Sequence, residues 1–159
     1  MISGTASYGG NTIISAGTLS LSGTLPNSPV IIVASNAVFD ISGTSLSLSA
    51  NQMLSGVGMV IGTLNDNNVV SGSAVSPAGN GTAGTLTMGG LFLNGNVNLN
   101  FDLANTTGVG GGTNDLLVVT NLIANVQSVP QSLLGPAVAM AQALRLVAVG
   151  CISDARQCG

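Results

Sequence analysis

Lysine, histidine, glutamate and tryptophan are absent from this chain. Arg145 and Arg156 are its only bases, so residues 1–144 carry no cationic side chain. Nucleic-acid binding depends on Lys and Arg to neutralise phosphates, and that function is excluded for this stretch. Acid–base catalysis draws mainly on groups that titrate near neutral pH, and the side chains best suited to it are missing. Charged residues make up 4% of the 159, against roughly 25% in an average globular protein. The surface must therefore be built from Ser, Thr, Asn and Gly. Aromatic residues are 3%, too few for the girdles of a membrane barrel. Although 45% of the residues are hydrophobic, no apolar run reaches the roughly 18 residues that a spanning helix needs. Direct membrane insertion of this segment is not expected.

Cysteine is confined to the C-terminal end, as Cys151 and Cys158. The loop between them can close as a disulfide, and spacing alone does not settle whether it does. A Cys pair without His is weak support for a metal site. Met1 is followed by "ISGTASYGG", with neither the basic nor the apolar region of a signal peptide. The expectation is a piece of a longer protein, or a start codon read inside a longer frame.

What the chain does have is repetition. "AGTLSLSGTL" (16–25), "SGTSLSLSA" (42–50), "IGTLND" (61–66) and "AGTLTMGGLFLNG" (83–95) share one plan. A Gly is followed by Thr, by apolar residues at alternate positions, and by a small or polar break. Between these lie further short apolar runs, "VIIVAS" (30–35), "AVFDIS" (37–42), "MVIG" (59–62), "NVVSG" (68–72) and "LLVVT" (116–120). Strands of three to five residues, punctuated by Gly, Asn, Ser or Pro, are the natural reading. No helical period occurs before residue 130.

Such strands fit a sandwich or a β-solenoid. Pairs of inward side chains, Leu19/Leu21 and Leu46/Leu48, match one narrow side of a coil, and the aromatic anchors of a sandwich core are missing. "GNVNLNFDLAN" (95–105) adds a third argument. Val97, Leu99, Phe101 and Leu103 would face inward from one strand, with Asn96, Asn98, Asn100 and Asp102 outward. Stacked coils place outward residues above one another at about 4.8 Å. Repeated charges would repel there, whereas Asn, Ser and Thr can bond to their copies above and below. At about 20–25 residues per coil, residues 1–125 make an all-β parallel solenoid of about five or six coils. Its rod length would be roughly 25–30 Å.

Residues 126–159 form a non-repeat tail that loses the Gly-Thr and Asn signals and gains Ala, Gln, Pro and Arg. Pro136 can open a short Ala/Leu-rich helix over 136–149, ending near Gly150 and capping the last coil. A disordered segment, or read-through from a damaged gene, fits the same composition.

"YGGNTIISAGTLSL" (8–21) resembles the autotransporter passenger-associated β-strand repeat, through Tyr8, Gly10, Thr12, Ile14, Gly17 and Leu19 in order. "VSPAGNGTAGTLTMGGLFLNGNVNLNFDLA" (75–104) is similar to a later part of such passengers, where a Ser-Pro-Gly-like turn precedes Gly-Thr-Leu; here Ala78 stands between Pro77 and Gly79. "GGTNDLLVVT" (111–120) resembles their Asp-x-Leu-x-Val segment. The resemblance covers residues 5–123. It implies a right-handed, single-stranded β-helix of a passenger domain fragment, exported by Gram-negative bacteria through the outer membrane. Such a chain would be displayed or shed as an adhesin-like stalk or scaffold, with the repeat aiding export and folding. The two Cys of the tail depart from such passengers, which are usually poor in Cys.

Candidate chemistry is sparse. Asp40, Asp66, Asp102 and Asp115 are far apart in sequence, although coils can bring two together, and paired carboxylates at about 5–9 Å define glycosidases. "GVGGGTNDLL" (108–117) partly matches the calcium nonapeptide, with Gly110, Gly111, Asp115 and Leu117 aligned but Thr113 in place of a required Gly. "GVGMVIG" (56–62) lacks the glycine spacing of a dinucleotide loop. "NGT" (80–82) and "NTT" (105–107) are glycosylation sequons by pattern. Thr85 and Thr87 form a lone Thr-x-Thr, where an ice-binding face needs one per coil. No catalytic, cofactor-binding or metal-ligating residue is assigned, and no cofactor is expected. The leading expectation is a non-enzymatic structural role at the cell surface or outside the cell. Its partners would be neighbouring solenoids or a host or cell-surface ligand. The alternatives are a glycan-binding module, for which Tyr8 is the only tyrosine, and a degenerate polysaccharide-processing β-helix.

Overall fold

The computed structural model describes residues 1–66, 72–93, 97–104 and 113–124, all within a compact unit spanning Met1–Asn125. The helix expected over 136–149 and the Cys151/Cys158 pair lie outside the described residues. Among those described the structure is all β, without a helix; none is therefore long and apolar enough to cross a membrane. The strands are β1 (Thr12–Ile14), β2 (Gly17–Ser20), β3 (Val30–Val33), β4 (Ala37–Asp40), β5 (Met53–Gly56), β6 (Met59–Asp66), β7 (Ala74–Pro77), β8 (Thr85–Leu93), β9 (Asn98–Leu99) and β10 (Leu116–Ala124).

Odd and even strands separate into two sheets, β1-β3-β5-β7-β9 and β2-β4-β6-β8-β10. Every pairing is parallel. The chain thus lays one strand on each sheet, moves up one level and repeats, which is a β-solenoid. Isolated parallel bridges Ile2–Leu21, Thr5–Thr24 and Leu46–Leu64 add contacts between levels outside these strands. In the first sheet the register advances 19 residues from Thr12 to Ile31, 23 to Leu54, 21 to Val75 and 24 to Leu99.

The core is a set of columns. Thr12, Ile31, Leu54 and Val75 lie one above another and all are buried. Phe39, Val60 and Met88 form a second column in the other sheet, with the half-buried Leu19 and Val119 at its ends. Leu46, Leu64, Leu91 and Leu122 form a third. Each apolar side chain so enclosed contributes about 1.5–3 kcal/mol, and each column is completed only by the level above. The Gly-Thr-Leu plan reads directly onto this arrangement. Leu64 and Leu86 are buried while Thr63 is exposed and Thr85 half-buried, and Gly17 and Gly62 turn the backbone at positive φ. Gly56 is fixed by close approach: a Cβ there would lie 2.0 Å from the Val33 carbonyl oxygen one level below.

Two expectations need correction. The levels, five strands deep in each sheet, do not share one coil length. In the second sheet the register advances 28 residues from Val60 to Met88 and 31 from Met88 to Val119, so the later levels consume more chain than a uniform 20–25-residue coil. The alternating strand expected over 97–103 is also shorter. β9 comprises only Asn98–Leu99, and Leu103 is 57% exposed. The backbone leaves the sheet because Asp102 turns to bind amides of neighbouring segments, as described below.

The outer ladder is polar but rarely pairs like with like. Thr24 donates to Thr5 at 3.2 Å and Ser20 to Asp40 at 3.4 Å. Asn27 and Asn98 instead donate to main-chain carbonyls, Ser7 and Ser73, both at 3.4 Å. An amide thus satisfies a carbonyl of the adjacent level, a role that a charged side chain could not repeat at each level without repulsion.

Corners are made by residues that tolerate left-handed backbone. Asn36 and Asn51 have φ of 63° and 59°, consistent with the tolerance of Asn for this region. Ala78, at φ 57°, lacks that tolerance. Ala78→Gly is expected to raise stability by about 0.5–1 kcal/mol, since relief of the left-handed strain exceeds the added freedom of the unfolded chain. A denaturation midpoint equal to or below that of the parent would contradict the assigned backbone.

Candidate functional site

The densest polar constellation lies where the turn after β7, the segment after β9 and the start of β10 meet. Pro77, Ala78 and Gly79 reverse the chain, with the Gly79 amide donating to the Pro77 carbonyl at 2.7 Å. Positive φ at Ala78, Gly79 and Gly81 makes the following amides available to acceptors outside the turn. Asp102 Oδ2 accepts from the Gly81 amide at 2.6 Å and from the Thr82 amide at 3.1 Å. Asp115 Oδ1 accepts from the Gly84 amide at 2.8 Å, and its Oδ2 from the Asp102 amide at 2.8 Å. Asn114 Oδ1 accepts from the Ala104 amide at 2.6 Å. The Asp115 amide completes the corner by donating to the Asp102 carbonyl at 2.9 Å.

Asp115 is buried and Asp102 is half-buried. Their charges are met by backbone N–H dipoles, which form strong, short bonds to carboxylates. Each carboxylate therefore ties two chain segments together. Both Asp115 oxygens face donors, so the positive ends of N–H groups occupy directions from which a cation would approach. Gly110 and Gly111 of the calcium-like stretch lie outside the described residues, and no group of three or more metal-ligating side chains occurs among those described.

The four carboxylates considered from sequence thus divide. Asp102 and Asp115 come together, linked through the Asp102 amide. Asp40 stands apart on β4, and the side chain of Asp66 lies outside the described residues. Asp40 Oδ1 accepts from Ser42 Oγ at 2.6 Å and from the Ser42 amide at 3.0 Å, and its Oδ2 from Ser20 Oγ at 3.4 Å. These bonds, the Ser42 hydroxyl first, hold its carboxyl below the usual carboxylate range.

A second polar network was not read from the sequence. Tyr8 Oη and Thr12 Oγ1 are 2.7 Å apart, and Thr12 Oγ1 and Ser28 Oγ 2.8 Å. Buried Gln52 donates from Nε2 to the Leu25 carbonyl at 2.7 Å and the Ser28 carbonyl at 2.5 Å, and accepts from the Ser49 amide at 3.0 Å. Gln52 joins its own turn to the Leu25–Ser28 turn one level away, and no spacing in the sequence signals it. The Tyr8–Thr12 contact ties the loop before β1 to the strand, phenol to hydroxyl. A groove of about 260 Å³ is bordered by Thr24, Pro26, Thr44, Ser45 and Ser47. It falls just below the roughly 300–1,000 Å³ of ordinary small-molecule sites, and no charged or aromatic side chain lines it.

The fold and these corners define a parallel β-solenoid whose described carboxylates brace turns. Comparison with family models, with curated proteins and with solved structures finds no match to the chain.

Asp115→Asn keeps the shape but presents an NH₂ group to one of two backbone donors. It is expected to lower stability by about 2–3 kcal/mol, the cost of leaving a buried amide unpaired next to a lost charged acceptor. Urea denaturation measures this, and an unchanged midpoint would remove Asp115 as a brace. Asp40, with its carboxyl held low in the fold, stabilises the charged form. That stabilisation is present above the unfolded value of about 3.9 and is lost as pH falls through the lower folded value. Asp40→Asn should therefore flatten the decline of Tm on acidification below about pH 4; parallel declines in the two proteins would exclude the effect.

Proposed function

We propose that this chain is a structural, non-enzymatic stretch of a secreted or surface-displayed autotransporter-type passenger. The reading makes it a right-handed, single-stranded β-helix that serves as an adhesin-like stalk or scaffold, within a longer exported chain. Its repeats would assist folding after export, because each level templates the next. Five or six coils, with the tail as a cap, remain part of this reading. Right-handedness accords with the strong preference of parallel crossover connections.

The observation that carries the proposal is the register. Every strand pairing is parallel and joins successive levels, so the backbone bonds and core columns run along one axis. A load applied along or across such a stack is shared by many inter-level bonds, which suits a spacer. The Tyr-x-Gly-x-Thr-x-Ile-like motif supports the passenger assignment, because Thr12 and Ile14 are both buried in β1 and Tyr8 is bonded to Thr12. Partners in this reading are neighbouring solenoids or a ligand on a host or cell surface.

The chain can be placed between a secretion signal and an autotransporter barrel and produced in a Gram-negative host. Antibody labelling of intact cells, with protease shaving as a second readout, is expected to find it outside. Retention in the periplasm, with the barrel itself correctly inserted, would refute the export reading.

A further inference from the structure

The turn braced by Asp102 contains Asn80–Gly81, one of two Asn-Gly pairs in the chain, the other being Asn94–Gly95. Asn followed by Gly is the dipeptide most open to spontaneous deamidation, because glycine leaves its own nitrogen unshielded. The reaction is intramolecular. The Gly81 nitrogen gives up its proton to solvent base and attacks Asn80 Cγ. The N–Cγ bond forms as the Cγ–Nδ2 bond breaks, and Nδ2 leaves as ammonia after taking a proton from water. Water then opens the five-membered imide at either carbonyl, leaving aspartate or isoaspartate at position 80. Nothing is oxidised or reduced, and water is the sole co-reactant.

Asn80, Gly81 and Thr82 are all exposed, and a Cβ on Gly81 would meet nothing within 4 Å. Solvent and steric access therefore favour the reaction. One feature opposes it: the nitrogen that must lose its proton donates to Asp102 Oδ2 at 2.6 Å. Removing that proton would set an amide anion against a carboxylate at hydrogen-bond distance. The same oxygen holds the Thr82 amide at 3.1 Å, so the two peptide units that flank Gly81 are both tied to it.

We propose that Asn80 is a latent deamidation site that the Asp102 carboxylate restrains, by holding the Gly81 nitrogen protonated and in place. Opening of this corner would release the restraint. The new carboxylate would then arise beside an amide that Asp102 already uses, and the isoaspartate form would add a methylene to the main chain within the turn. The modification thus converts a transient opening between β7 and β8 into a permanent one.

The test follows the whole chain at mildly alkaline pH and physiological temperature. Peptide mass spectrometry and isoaspartyl methyltransferase labelling score position 80. Folded parent, urea-unfolded parent and folded Asp102→Asn are compared. Asn80 in the folded parent is expected to react at least about tenfold more slowly than in the unfolded chain, and Asp102→Asn to recover much of that difference, as the loss of a close charge interaction requires. Exchange of the Gly81 amide hydrogen, which begins with the same proton removal, is expected to be slowed in the folded parent to a similar degree. This readout stands even if Asp102→Asn does not fold. Equal Asn80 rates in folded and unfolded parent, an unprotected Gly81 amide, or a folded Asp102→Asn with the parent's rate would each overturn the proposal.

Discussion

Everything in this structure depends on the parallel hydrogen-bond ladder between successive levels. A single level is a ring of short strands with little apolar surface to enclose and many unpaired main-chain groups, and by itself it has no reason to fold. Stacked in register, it gains bonds above and below, and its inward side chains complete columns such as Leu46–Leu64–Leu91–Leu122. Stability is therefore shared between neighbouring levels, as in other repeat arrays, and not concentrated in one central cluster.

The ladder also constrains composition. Outward positions recur directly above one another, so a charge tolerated once becomes a repulsive row if repeated. Asn, Ser and Thr avoid this and can reach hydroxyls or carbonyls of the next level, as Thr24, Asn27 and Asn98 do. The described carboxylates are used sparingly and at corners, where backbone amides turn outward and can surround them. Asp40 binds Ser42 and Ser20, while Asp102 and Asp115 join three segments around a glycine-bearing turn. A carboxylate in this setting organises backbone, and its chemistry toward other molecules is correspondingly muted.

Turn chemistry is where local strain collects. Asn36 and Asn51 adopt left-handed backbone at corners, and Gly56 permits contact with the level below that any side chain would prevent. Ala78 sits in the same region of backbone space without either advantage. Its position is over-determined by its surroundings: the Ala78 amide donates to the Gly56 carbonyl at 2.8 Å, and the Asp102 and Asp115 carboxylates hold the amides just beyond it. Tertiary bonds override local preference here.

The sequence by itself determined the fold class. Gly-Thr-apolar repeats, two-residue inward pairs and an uncharged outer face specify short strands that must stack, because these features describe only nearest-neighbour relations that each repeat carries within itself. Inward positions such as Leu21, Leu46 and Leu48 were legible for the same reason. Only the tertiary structure decided the length of each coil, since loops of unequal length change the chain consumed per level without changing the strand pattern. It alone decided that Asp102 and Asp115 meet, that Leu103 faces out, and that Gln52 clamps carbonyls of Leu25 and Ser28. Those contacts join residues 13 to 27 positions apart, and their partners are main-chain groups, which every residue possesses and no sequence pattern can single out.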